Sequence, residues 1–242
     1  MSKKTDAPLV VTNLKKSFGK VKAVRDISFS VDAGEVLGIV GPNGAGKSTT
    51  IKMILGLLEP TSGSVELFGK KISDASVRTR IGYMPETPSF YNHLSGYELL
   101  QVAGTLFSLS KAEVKRRSAD LVEMVGLSDS AHRPLREYSK GMLQRICLAQ
   151  ALINQPDIIF LDEPMDGLDP IGRIRMKETL LEIRSKGTAV VFNSHILSDV
   201  AAISDRIAIM DHGTLLKLDT VTNLIPKGKT LEEVFIKTVE AA

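Results

Sequence analysis

A chain of 242 residues with 43% apolar and 24% charged residues can bury the core of one sizeable α/β domain, which excludes a disordered chain. Lys and Arg number 31 against 28 acids, and a net charge of +3 spread this thinly does not mark a nucleic-acid binder; the pairs Lys3–Lys4, Lys15–Lys16 and Lys70–Lys71 read as solvated faces. The lone Cys147 cannot close an intrachain disulfide, and no run approaches the ~18–20 apolar residues that span a bilayer, so a soluble chain in a reducing compartment is expected.

The opening MSKKTDAPLVV is basic but lacks the apolar core of a secretory signal. APLVVTNLKKSF and VKAVRDISFSV alternate apolar and polar residues, as half-buried antiparallel strands do. EVLGIVG predicts a short strand, and GAGKSTTIKMILGLLEP a helix that starts at the glycines and stops at Pro60. SGSVELFGK and IGYMP predict two more strands, the second closed by Pro85. From about Leu94 to Leu152 the pattern changes. SGYELLQVAGTLFSLS, KAEVKRRSADLVEMVGL and KGMLQRICLAQALI all carry helical spacing, with no strand between them. Alternation then resumes with DIIFLDEP as strand, PIGRIRMKETLLEIRSKG as a helix ended by Gly187, and TAVVFNSH as strand. ILSDVAAIS follows as a helix and RIAIMDHGTLLKLDT as a hairpin turning at His212–Gly213. Apolar strands alternating with helices argue for a parallel sheet covered on both faces. The expected organisation is one α/β domain over 1–242, with a core at 1–90 and 153–242 and an inserted helical subdomain at about 91–152.

Gly41-Pro42-Asn43-Gly44-Ala45-Gly46-Lys47-Ser48-Thr49 matches GxxxxGK[ST] between a predicted strand and a predicted helix, the context a phosphate loop requires. Its glycines let backbone N–H groups close round phosphate oxygens, and the helix N-terminus adds partial positive charge. Lys47 suits the β- and γ-phosphates and Ser48 suits Mg²⁺; the plainer alternative is a glycine-rich turn without a ligand. IIFLDEP reads as a buried strand ending in two acids, which are costly to bury unless cations pair with them. Asp162 suits the metal, directly or through water. Glu163 suits polarising a water for attack on a γ-phosphorus, and a purely structural acid pair is the alternative. His195, in VFNSHIL, follows a buried strand; such a histidine is more often structural, but its place in the strand order favours contact with the γ-phosphate. His93, His132 and His212 lack that context and read as structural.

Taken in order, GPNGAGKST, IGYMPE, YSKGMLQR, IIFLDEP, GLDP and NSH resemble the ATP-binding subunit of ABC transporters over nearly the whole chain. The resemblance implies a P-loop NTPase core with a mixed sheet, an N-terminal antiparallel β-subdomain, ATP and Mg²⁺ as ligands, and hydrolysis coupled to transport. It implies that Phe18, in KSFGK, stacks on adenine, although alone it reads equally as a core or a surface aromatic. Gly41 to Thr49 become the Walker A loop, and Asp162 and Glu163 the Walker B aspartate and the catalytic glutamate. Leu168–Asp169 would cross a dimer interface and His195 would be the switch histidine. YSKGMLQR is similar to the signature motif, in which Ser139 and Gly141 contact ATP on the opposite subunit.

Two departures stand out. Glu86 replaces a glutamine that touches the metal and relays nucleotide state to the membrane partner; a carboxylate keeps an acceptor but adds negative charge beside the phosphates. Lys140 replaces the first glycine of LSGGQ, with its ammonium expected on phosphate or in solvent, while Ser139 is expected to cap the next helix with a free hydroxyl. With LEEVF at Leu231–Phe235, these features resemble an exporter-type branch whose multi-span permease is a separate chain. That implies a peripheral position on the cytoplasmic face and a homodimer or heterodimer of cassettes sandwiching two ATP. The permease is expected near Thr87–Leu99, where Phe90, Tyr91 and Tyr97 are candidate anchors and at least one is expected in the core. Two other readings are a soluble ABC-type ATPase acting on nucleic acid or ribosomes, and a regulator with little turnover. A single cassette without a heptad run counts against the first, and Glu163 with His195 against the second.

Overall fold

The computed structural model describes residues 7–241, so the Lys3–Lys4 pair lies outside the described residues. β1 (Leu9–Phe18) and β2 (Val21–Val31) pair antiparallel, as their alternation predicts. β3 (Val36–Val40) is buried along its whole length and feeds α1 (Lys47–Ile54). α1 stops well before Pro60. Gly56, at φ +68°, donates its N–H to Met53 O, and Leu57 donates to Lys52 O at 2.9 Å. This is the paired closure of a glycine-terminated helix, so the glycine and not the proline ends it.

β4 (Ser62–Leu67) and β5 (Lys70–Lys71) complete a four-stranded sheet in the order β2-β1-β4-β5. β5 and the single turn α2 (Ala75–Arg78), capped by Asp74 on Ser76 N, are too short to show a period in sequence. β6 (Ile81–Met84) then leads into α3 (Gly96–Leu106), α4 (Lys111–Met124) and α5 (Lys140–Leu152). Each of these helices starts where a serine side chain accepts from its first turn, and Ser95 with Glu98 forms a full capping box.

β7 (Ile158–Asp162), α6 (Pro170–Ser185), β8 (Ala189–Asn193), α7 (Leu197–Ile203), β9 (Arg206–Asp211) and β10 (Thr214–Thr220) follow. α8 (Val221–Leu224) and α9 (Leu231–Glu240) close the described chain. The second sheet has six strands in the order β10-β9-β3-β8-β7-β6, parallel except for the β9–β10 hairpin, which turns at His212–Gly213 with both residues at positive φ.

Its two faces belong to two apolar clusters. Ile39, Phe160 and Val191 pack toward α1 and the antiparallel sheet. Val40, Leu161 and Phe192 pack into the cluster that also holds Leu100, Val122 and Ile146 of α3, α4 and α5. Phe160 and Phe192 are fully buried, each contributing about 1.5–3 kcal/mol relative to exposure. The three helices therefore rest on the sheet through a shared core. Among the described residues no helix is long and apolar enough to cross a membrane.

Candidate nucleotide and metal site

The loops at the carboxyl ends of adjacent parallel strands β3, β8 and β7 converge on one edge of the sheet, where open α/β sheets bind ligands. Gly41 leaves β3 so close to the chain of β9 that a Cβ there would collide with the Met210 carbonyl. Gly46 sits at φ +99°, and a Cβ on it would stand 2.6 Å from Ala23 O of β2. Glycine is required at both positions. α1 begins at Lys47 with no side-chain cap, which leaves its first-turn N–H groups free for an anion.

Lys47 is 7% exposed and folds back over the loop, its Nζ donating to Gly41 O at 2.7 Å and Pro42 O at 3.2 Å. Burial pushes its pKa below the usual lysine value, against the opposing pull of Glu163, Asp162 and Glu86. Ser48 Oγ donates to Asp162 Oδ1 at 3.0 Å.

Asp162 ends β7 at 3% exposure, in register with Asn193 at the end of β8. Asn193 was not among the sequence-derived candidates, yet it ties the site together. Its Oδ1 accepts from the Glu163 backbone N–H at 2.7 Å. That bond fixes the amide, because only the oxygen can face a donor, and it turns Nδ2 toward Asp162 Oδ1 and Ser48 Oγ. Asn193 is fully buried and spends donors and acceptor on all three neighbours. A polar residue closing an apolar strand just before NSH's histidine is the one trace it leaves in sequence.

Glu163 has φ +52°, a left-handed conformation that non-glycine residues seldom adopt and that the surrounding structure must hold. Its Oε2 accepts from the His195 backbone N–H at 3.2 Å and lies 2.8 Å from His195 Nδ1. The contact is a hydrogen bond between the ring and the carboxylate, and it leaves Nε2 for a ligand. His195 is more than half exposed, whereas the Glu163 side chain is 12% exposed.

The oxygens of Ser48 and Asp162 form a hard donor pair that fits Mg²⁺, which takes few protein ligands and keeps water and phosphate oxygens. Among the described residues no group of three or more His, Cys, Asp or Glu could hold a metal by itself. A metal at this pair therefore completes its shell from water and the nucleotide.

The remaining candidates sit apart. Glu86, exposed just beyond β6, acts on Lys47 through space. Phe18 is 50% exposed at the end of β1, with Lys16 Nζ 5.1 Å from its ring centroid. Ser139 caps α5, but its oxygen already accepts from Met142 N at 3.3 Å, so the hydroxyl is not wholly free. Lys140, whose side chain is 61% exposed, places its Nζ 2.6 Å from Asp166 Oδ2 of its own chain. Gly141 faces Leu168, whose Cδ2 would be 3.2 Å from a Cβ. Of the candidate anchors, Phe90 and Tyr97 pack against the core, Tyr97 beside His132 at 4.7 Å between ring centroids, while Tyr91 is 71% exposed.

A phosphate loop, an acid-ended strand and a histidine two residues beyond a third strand share one edge of the sheet. The family described as ABC transporter matches residues 24–166. This chain belongs to the ABC transporter family. It is an ATP-binding subunit of that family, and an ABC transporter ATP-binding protein of Synechocystis sp. is 44% identical to it over 89% of this chain. The chain spans 61% of that relative's length. The lantibiotic transport ATP-binding protein SrtF of Streptococcus pyogenes is 38% identical over 86% of this chain and 89% of its own. A solved structure of an ATP binding subunit of an ABC transporter superposes with a TM-score of 0.88 at 32% identity, covering 96% of this chain and 99% of that one. The family match ends at Asp166, so Asn193 at the end of β8 and His195 after it lie beyond that match.

Proposed function

We propose that the chain hydrolyses ATP at a site completed by a second cassette, and that closing and opening of the pair drives export through a separate multi-span membrane subunit. One observation carries the hydrolytic reading. The Glu163 carboxylate is held 2.8 Å from His195 Nδ1 at the end of a buried strand, next to the Ser48–Asp162 pair. A base so fixed can accept the proton of a water attacking the γ-phosphorus, while His195, with both ring nitrogens protonated, would donate from Nδ1 to Glu163 and from Nε2 to the γ-phosphate.

Phosphates entering the loop draw Lys47 off the Gly41 and Pro42 carbonyls, and the backbone of Gly41 to Thr49 closes round them. Ser48 and Asp162 would hold Mg²⁺, which when bound neutralises phosphate charge, and the Glu86 carboxylate would accept from metal-bound water. Phe18 offers an exposed face for the adenine. Ser139 caps α5 and Gly141 beside it faces Leu168, and the similarity of YSKGMLQR to the signature motif supports their acting on ATP held by a partner cassette, identical or homologous.

The division into a core at 1–90 and 153–242 and a helical subdomain at about 91–152 lets α3–α5 carry the trans half of the site. A groove of about 380 Å³ beside Glu86, lined by Pro88, Phe90, Leu106 and Phe107, supports docking of the membrane subunit there. Leu106 is 81% exposed next to it. The name of the SrtF relative, a lantibiotic transport protein, supports an exporter at the cytoplasmic face of a membrane.

Phosphate release by the purified chain with Mg²⁺-ATP, together with fluorescent-ATP titration, tests the site. Lys47→Ala should abolish high-affinity nucleotide binding. Micromolar affinity kept by that variant, or a parent that releases no phosphate with or without its membrane partner, overturns the reading.

A further inference from the structure

We infer that Lys140 is a positioning residue whose ammonium seats the Met165–Asp169 loop of its own chain on the N-terminus of α5, so that the two segments meet a partner cassette as one surface. The last clause rests on the dimeric reading above; the seating itself does not.

Three contacts converge on this seam. Lys140 Nζ lies 2.6 Å from Asp166 Oδ2, Gln144 Nε2 donates to Asp166 O at 3.4 Å, and Leu168 packs toward Gly141. The loop is shaped for the lysine. Gly167, at φ +71°, presents no side chain where a Cβ would collide with Lys140 Cδ, Cε and Nζ, so the aliphatic stem lies across the glycine to reach the carboxylate. A glycine at 140 could not make this bridge.

The loop connects the two parts of the machinery. It leaves β7 at Glu163 and ends at Asp169, whose carboxylate caps α6 by accepting from Gly172 N at 2.6 Å. Fixing Asp166 in the middle therefore fixes the span between the base and the residues that would cross to the partner. The Lys140 hydrogen bond is the largest influence holding the Asp166 carboxyl below its usual range, and the Lys140 and His195 charges add to it. The alternative, an ammonium that binds the partner's phosphate, requires this pair to open first. Here the charge is matched within the chain.

An exposed ion pair contributes little to global stability, so the test is local. In nucleotide-free protein, hydrogen exchange of the 165–169 amides is expected to be about two- to fivefold faster in Lys140→Met and in Asp166→Asn, the scale of one exposed pair. Lys140→Arg should restore the parental rate, and Lys140→Met/Asp166→Asn should be no faster than either single variant. In turnover, both single variants should lower kcat by a similar factor with KM for ATP unchanged.

Exchange unaltered by both substitutions overturns the inference. So does a raised KM in Lys140→Met with Asp166→Asn silent, the signature of a phosphate ligand. A parent without turnover would remove the hydrolytic reading while the exchange measurement still decides the role of Lys140.

Discussion

Asn193→Leu is the sharpest probe of how the site is held. The substitution keeps the branching at Cγ but is larger, so it leaves no cavity and overpacks, and it deletes the acceptor of the buried Glu163 N–H and the donor to Asp162 and Ser48. A buried donor left unsatisfied costs about 1–3 kcal/mol. Part of that returns if Glu163 relaxes from φ +52°, since a left-handed non-glycine residue stores on the order of 1 kcal/mol. With about 1–3 kcal/mol for overpacking by the larger leucine, the net loss is about 1–5 kcal/mol, which for a chain of this size lowers Tm by roughly 2–20 °C.

The catalytic consequence is larger. Relaxation of residue 163 carries its carboxylate away from His195 Nδ1, and a displacement of about 1 Å at a reacting group costs on the order of 10² in rate. Lys47 and the loop glycines are untouched, so ATP affinity should stay near the parental value. Calorimetry, fluorescent-nucleotide titration and phosphate release measured on one preparation separate these effects. Asn193→Asp is the control: it can still accept from Glu163 N–H, but it sets a second carboxylate oxygen against Asp162 Oδ1. It should hold Tm better than the leucine variant at high Mg²⁺ and raise the Mg²⁺ concentration needed for turnover. Turnover of Asn193→Leu within about twofold of the parent, with Tm unmoved, would refute the argument that this amide holds the base.

Two further outcomes follow from the same geometry. Glu163→Gln should bind ATP, lose roughly 10²–10⁴ in turnover and accumulate as an ATP-bound dimer in size-exclusion chromatography; turnover within about threefold of the parent excludes Glu163 as the base. Glu86→Gln removes one of the three negative charges felt by Lys47, so ATP affinity should rise by about two- to tenfold at low salt, less at high salt, with the Mg²⁺ dependence of turnover shifted. Unchanged nucleotide affinity and Mg²⁺ dependence would show that the carboxylate lies outside the site's field.

What could be read from sequence was the chemistry whose cause is local. Gly41 and Gly46 are legible through the GxxxxGK[ST] spacing of their own turn, although the carbonyls that exclude a Cβ there belong to β9 and β2. Asp162 and Glu163 are legible because acids ending a fully apolar strand need a reason to be there. The end of α1 was within reach but misread: Gly56 supplies the left-handed closure, and Pro60 drew attention four residues too late.

Asn193 and Lys140 were not legible in the same way, because their roles come from strand order and not from spacing. β8 lies between β3 and β7, so its last residue stands between Ser48, which follows β3, and Asp162, which ends β7, and nothing in VFNSH states that order. The partner of Lys140 is 26 residues away, on the far side of β7. From sequence its ammonium had two destinations, phosphate or solvent, and the fold supplies a third. The departure from a two-glycine signature is therefore matched by Asp166 and Gly167 in another segment, and Lys140 should be read with them. Its replacement by glycine would leave Asp166 without its cation and the 165–169 loop without its seat, even though it would make the signature look more ordinary.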